Sequence, residues 1–317
     1  MNVSQMRCGI SSTCTDAMSA RHSDARTIRV ATRPSPQART QAGFVAEAIT
    51  AATSVPCELV LVESTGDLRA DVPLHQMAGQ GIFVKEVQRA VLDGRADVAV
   101  HSAKDLPTEG DPGLVVGAWS ARRDARDALI GSTLSSLGSE STVATGSARR
   151  RAQLRAVRPD LRFVELRGNI GTRLERVPDG GAIVMAVAAL EILGLTEKVA
   201  ELLDPTVFVP MVGQGCVAVE HRFGDSATRE VLAAIDHPPT RHAVETERAF
   251  LAVLGSGCSL PVGAHVSATG TITTFLAEAD AAGARSVVMQ ADVSDPDTAR
   301  LVAAELARVS RREVSGR

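Results

Sequence analysis

The chain has 317 residues, a net charge of −3, and 44% hydrophobic against 22% charged residues, the balance of an ordinary globular protein of two or three domains. The mild acidity and the 3% aromatic content argue against bulk nucleic-acid binding, which needs a basic surface and rings on which bases can stack. No apolar run approaches the roughly 18 residues of a membrane span, and Cys8, Cys14, Cys57, Cys216 and Cys258 form no close CxxC pair, which speaks against a disulfide framework and a zinc site; no metal is expected.

The first 26 residues lack periodicity and carry no apolar h-region, so they read as a flexible extension rather than a secretory signal. Ile28 to Ala31 reads as a strand. Ser35-Pro36 then makes a helix start, with Ser as N-cap and Pro at the first helical position. Ala38, Ala42, Val45, Ala46 and Ile49 keep one face of that helix apolar. Glu58 to Val62 is a second strand, Val84 to Leu92 a helix, and Val98 to Val100 a third strand. This rhythm implies a parallel or mixed sheet. Leu114 to Trp119 is a further strand, and the charged run Arg122 to Asp127 reads as a hinge.

A second α/β unit follows, with strands near Val143 and Phe163 and an apolar stretch from Ala182 to Leu193. Phe208 to Glu220 returns the chain to the first unit. Helical patterns resume at Ser226 to Ile235 and Arg241 to Leu254. Strand-like runs and a last helix, Asp297 to Arg308, complete the sequence. The domains expected are an extension (1–26), a first lobe (27–120 with 211–236), a second lobe (121–210) and a C-terminal domain (237–317). Two lobes joined by two crossing segments make a cleft that can open and close.

Three segments carry chemistry. The first is Ala96 to Glu109, where a β-branched run ends abruptly in His101, Ser102, Lys104 and Asp105, with Pro107 stopping any helix. In open α/β sheets, chemistry collects at such carboxyl ends, and a carboxylate beside a lysine suits acid–base or cation-stabilising work. The plain alternative is a turn with a surface ion pair. The second is a set of arginines at strand–helix junctions: Arg33 before the Ser35 cap, Arg149 and Arg150 after Thr145 and the Ser147 cap, and Arg167 and Arg173 around Gly168-Asn169. Cations in a first helical turn oppose the macrodipole, and an anionic ligand would reverse that penalty. Of the 34 basic residues only Lys85, Lys104 and Lys198 are lysines, so most cations are planar forks suited to carboxylates. No P-loop or GxGxxG fingerprint is present. The expected ligand is a polycarboxylate or a phosphate. The third segment is Gly255 to Gly263, where Cys258 lies between small, polar neighbours and is more accessible than Cys57 or Cys216. Access is what a nucleophilic thiolate requires.

From Ile28 to His265 these segments occur in one order that resembles the porphobilinogen deaminase (hydroxymethylbilane synthase) family. The resemblance rests on Ala31-Thr32-Arg33-Pro34-Ser35-Pro36, Gly81-Ile82-Phe83-Val84-Lys85-Glu86 and Val100-His101-Ser102-Ala103-Lys104-Asp105. It continues through Ser147-Ala148-Arg149-Arg150, Arg158-Pro159-Asp160-Leu161, Leu166-Arg167-Gly168-Asn169, Val212-Gly213-Gln214-Gly215 and Gly257-Cys258-Ser259-Leu260-Pro261. It implies two periplasmic-binding-protein-like α/β lobes plus a small α+β C-terminal domain. It also implies a dipyrromethane cofactor, joined by a thioether to Cys258. Four porphobilinogens are then condensed head to tail with loss of ammonia, and hydroxymethylbilane is released. By the same resemblance Asp105 is the catalytic aspartate, stabilising the cationic azafulvene and handling pyrrole protons. Lys104, Ser35, Thr145, Ser147, Arg149 and Arg150 serve the cofactor end, and Arg33, Arg167 and Arg173 bind substrate carboxylates. A cytoplasmic monomer, without membrane or nucleic-acid partner, is the expectation.

The sequence departs from the family pattern at several places. Gln76 and Gln80 stand where lysines are common. Gly146 replaces a serine. Ala189 and Ile192 replace a glycine and an arginine of the Ala-Gly-Leu-x-Arg-Leu-Gly segment. About two residues before Ala182 are missing. These changes predict intact initiation and weakened elongation, as in a diverged paralogue. The rival readings are a non-enzymatic two-lobed anion-binding protein and a cysteine hydrolase pairing Cys258 with His101 or His265.

Overall fold

The computed structural model describes residues 26–63, 84–255, 260–279 and 281–316. Residues 1–25 of the N-terminal extension, Gln76, Gln80 and Cys258 lie outside the described residues. Among those described, the strands form two five-stranded sheets and one of three strands.

The first sheet begins with β1 (Ile28–Thr32), which is followed by α1 (Pro36–Thr53) and β2 (Cys57–Leu61). Ser35 caps α1 by accepting from the Ala38 amide, and Pro36 opens it, as the sequence pattern predicts. Next come α2 (Lys85–Leu92), β3 (Val98–Ser102) and β4 (Leu114–Trp119). The strand order is β2-β1-β3-β10-β4, where β10 (Val217–Arg222) arrives from far along the chain. β1 is parallel to β2 and β3, and β10 is antiparallel to β3 and β4. The sheet is therefore mixed. Val98, Val100 and Ala99 are buried on both faces of β3, which is why that strand reads as a continuous apolar run. Ala42, Val45 and Ile49 of α1 pack on Ile28, Val30 and Val98.

The second sheet repeats the pattern. β5 (Asp127–Ile130), β6 (Thr142–Ala144), α3 (Ala148–Val157) and β7 (Arg162–Val164) are followed by α4 (Ile170–Leu174). β8 (Ala182–Ala186), α5 (Val187–Ile192) and β9 (Glu201–Leu202) complete it. The order is β7-β6-β8-β5-β9, with β6 parallel to β7 and β8, and β5 antiparallel to β8 and β9.

The two crossing segments lie side by side. The Arg123 amide donates to the Gly215 carbonyl at 2.8 Å and the Ser120 amide to Val217 at 2.9 Å. Gly215 has φ of +87°, and a Cβ there would stand 2.6 Å from the Arg123 carbonyl. Only glycine permits this approach. The run read as a hinge is bonded to the return crossing: Gln214 donates to the Ala125 carbonyl at 2.7 Å and to Asp127 at 2.8 Å, and Asp127 already belongs to β5.

After α6 (Ser226–Ala233), the C-terminal unit packs α7 (Pro238–Leu254) and α8 (Ala299–Ser315) on one sheet. That sheet is the antiparallel β11 (Val262–Val266), β12 (Thr271–Ala277) and β13 (Ser286–Asp292). Phe250, Leu254, Ile272, Ala303 and Ala307 form its core. This is the small α+β unit expected. The last helix starts two residues later than the sequence pattern suggests and runs seven residues further, ending at Ser315.

Candidate active-site cleft

A cavity of about 680 Å³ opens between the carboxyl ends of the two sheets. From the first lobe come Arg33 and Ser35, at the β1–α1 junction, and Lys104 and Asp105, in the 3-10 turn Ala103–Asp105 that continues β3. From the second come Arg150 in α3, Arg167 in the β7–α4 loop and Arg173 in α4. Among the described residues that line it, five are cations and Asp105 is the single carboxylate. Seven of the residues singled out in the sequence therefore meet at one place.

Neighbours fix the strand end that carries Asp105. The Ser102 hydroxyl donates to Gln41 of α1 at 3.1 Å. His101 Nε2 stands 3.2 Å from Glu220 of β10, which also accepts from Gln88 of α2 at 2.9 Å. Beyond the turn, Arg248 of α7 donates to the Pro107 carbonyl at 2.7 Å. Asp105 is thus held from three directions.

The cations crowd one another. Burial, and then the charges of Arg150 and Arg149 against those of Asp105 and Asp127, bring Lys104 down to about 8. Burial, with the charges of Arg150 and Arg167, also lowers Arg173, while Asp105 pulls the other way. Arg167 keeps Nε and Nη2 buried without a hydrogen-bond partner, and Glu165 stands 4.0 Å from its Nε. A buried charged donor left unmade is costly, and an anion in the cleft would relieve it.

Three of the expected site residues are not part of the cleft lining. Arg149 is 4% exposed and gives its terminal nitrogens to the Val209 carbonyl at 2.6 Å and to Asp127 at 2.8 Å. The Ser147 hydroxyl caps α3, accepting from the Arg150 amide at 3.4 Å. Thr145 is buried, its hydroxyl accepting from the Ser147 amide at 3.3 Å. Arg150 is shared: it reaches the cleft, yet also donates to Asp127 at 2.7 Å and to the Val184 carbonyl at 2.9 Å. The anion that relieves the start of α3 is thus the protein's own Asp127. Nothing in the sequence signalled it, because Asp127 lies 22 residues from Arg149 inside a run whose local pairs look sufficient.

Geometry defines the class: a two-lobed α/β protein with a cleft built for a polycarboxylate and one carboxylate placed among the cations. Two family profiles match the sequence, "Porphobilinogen deaminase, dipyromethane cofactor binding domain" over residues 28–230 and "Porphobilinogen deaminase, C-terminal domain" over 242–309. The porphobilinogen deaminase of Acidothermus cellulolyticus is 47% identical over 263 residues, covering 80% of this chain and 78% of that protein. That of Geobacter sulfurreducens is 40% identical over 308 residues, covering 91% and 96%. The methionine-binding protein MetQ, a solved structure, is 14% identical with a TM-score of 0.42, over 69% of this chain and 91% of its own, and nothing rests on that likeness. The chain belongs to the porphobilinogen deaminase family. It is accordingly an enzyme, a transferase of tetrapyrrole synthesis, in a family that polymerises porphobilinogen to hydroxymethylbilane on a covalently attached dipyrromethane. Arg167's unpartnered nitrogens and the cationic lining fit that carboxylate-bearing group. No helix among the described residues is long and apolar enough to cross a membrane.

Proposed function

We propose that this cleft condenses four porphobilinogen molecules head to tail, with Asp105 as its catalytic carboxylate. The carrying observation is the convergence of five cations from both lobes around that one acid. When bound through Cys258, the dipyrromethane supplies the pyrrole end to which the first unit is joined. Arg33, Lys104, Arg150, Arg167 and Arg173 bind the acetate and propionate groups, by charge-assisted hydrogen bonds that the arginines can make as bidentate forks. Each condensation breaks the C–N bond of the substrate's aminomethyl group, and the nitrogen leaves as ammonia with the bonding pair. The carbon left behind is cationic. Asp105 stabilises that charge electrostatically and accepts the proton shed when the new carbon–carbon bond forms. Ser35 orders the Arg33 side of the cleft through its cap on α1. Thr145, Ser147 and Arg149 act from behind, by fixing the start of α3 that carries Arg150.

The same reading assigns 27–120 with 211–236 to the first lobe, 121–210 to the second and 237–317 to the cofactor-bearing domain. It takes the protein as a cytoplasmic monomer; the net charge of −3 speaks against a nucleic-acid partner.

Intact mass measurement tests the reading. The active protein should exceed its sequence mass by one dipyrromethane unit, and Cys258→Ala should lack the excess and release no ammonia from porphobilinogen. An unmodified mass in a fully active preparation would overturn it.

A further inference from the structure

Behind Lys104 the cleft continues into a small recess against the crossing segments. The recess shares Gln37, Gln41, Ser102, Lys104 and Ala189 with the cleft and adds Arg123 and Ile192. Ile192, the last residue of α5, is 9% exposed and gives this side of the recess an apolar wall. It stands where the sequence resemblance expects an arginine.

Arg123 differs from the arginines beside it. Arg122 is paired with the buried Glu247, and Arg126 with Asp124 at 2.6 Å. No hydrogen bond or ion pair of the Arg123 guanidinium is found among the described residues. It lies instead over the Phe44 ring of α1, 5.0 Å from the centroid. An aromatic face steadies a cation without neutralising it. The Arg123 backbone is clamped to Gly215 at 2.8 Å, so the side chain leaves the crossing from a fixed point. The recess thus holds a positioned, unneutralised fork and an apolar wall, with Lys104 also in its lining.

We propose that Arg123 is a carboxylate-binding residue for the lengthening pyrrole chain, supplying from the crossing segment the cation absent at position 192. This rests on the condensation reading above. Each added unit brings two carboxylates, so the need for a further cation grows with chain length. Early additions are served by the cleft arginines, and later ones draw on the recess. The departure at Ile192 is then a relocation of charge rather than a loss, and elongation proceeds without the weakening that the sequence pattern predicts.

Mass spectrometry of the holoenzyme incubated with limiting porphobilinogen tests this by counting the pyrrole units bound to the protein. Arg123 is exposed, so its variants should fold. Loss of one charge-assisted hydrogen bond corresponds to roughly a ten- to hundred-fold slowing. Arg123→Gln should therefore slow the later additions by that factor and pile up a partly extended species that is minor in the wild type. Arg123→Lys should largely prevent the stall, and Ile192→Arg added to Arg123→Gln should relieve it. A wild-type distribution left unchanged by Arg123→Gln overturns this proposal alone. Absence of any porphobilinogen uptake by the wild type overturns the condensation reading, and this proposal with it.

Discussion

Asp105 shows how far one side chain depends on its setting. An aspartate after a lysine in a turn is unremarkable in sequence. In the fold it is, among the described residues, the one carboxylate lining a cleft that five cations also line. That surrounding of cations places the carboxylate where a developing positive charge on the substrate would face it. Asp105→Asn keeps the shape and removes the charge. Losing a general acid–base group costs about 10²–10⁴-fold in rate, and losing an electrostatic stabiliser a similar factor. We expect turnover to fall by that order with the circular dichroism spectrum unchanged. A variant that keeps more than about a tenth of the wild-type rate would remove Asp105 from the mechanism.

Elements are joined here by charges that no local pattern announces. The first residue of β5, Asp127, is 1% exposed and binds Arg149 and Arg150 at the start of α3 together with Gln214 from the return crossing. Burial alone would raise its carboxyl, but the two guanidiniums overrule that and hold it well below the usual carboxylate range. A depressed folded-state value has a definite sign. The contribution is complete at neutral pH, fades as the pH falls below about 4, the unfolded-state value, and is gone once the folded carboxyl protonates. Breaking one partner of a buried pair typically costs about 3–5 kcal/mol. Asp127→Asn should lose stability of that order at pH 7, and its deficit should narrow in acid. Urea unfolding from pH 7 to pH 3 reads this directly. A deficit independent of pH would mean that packing, and not charge, carries the effect.

Across the whole molecule, Glu247 is where the parts meet. Its carboxylate, 0% exposed, accepts from Arg122 on one crossing, from the Gly213 amide on the other at 2.8 Å, and from the Val266 amide of β11 at 2.8 Å. Both crossings and the C-terminal unit are thus tied to α7, the helix whose Arg248 also grips the segment just past Asp105. Glu247→Gln strips the charge facing Arg122 and leaves one oxygen to accept from the Gly213 and Val266 amides, which now bond to both carboxylate oxygens. By the same reasoning as for Asp127, it should cost roughly 3 kcal/mol. Calorimetry should then show the C-terminal unit melting ahead of the lobes. A single transition at the wild-type temperature would show that the units are coupled by apolar packing instead.

The sequence by itself determined the local framework. It placed the Ser35 and Ser147 caps, the buried strand that leads into the Asp105 turn, the order α/β, α/β, α+β, and the arginines at strand–helix junctions, because caps, turn residues and apolar periodicity act within a few residues. The ordered motifs also named the family. Tertiary structure alone decided which cations face the cleft. Arg149 reads like Arg150 in sequence, yet a carboxylate 22 residues away takes it out of the lining. Arg123 reads like Arg122 and Arg126, yet those two meet Glu247 and Asp124, while Arg123 meets, among the described residues, the Phe44 ring. Charge acts through space, and pairing across the fold is not written in the spacing along the chain.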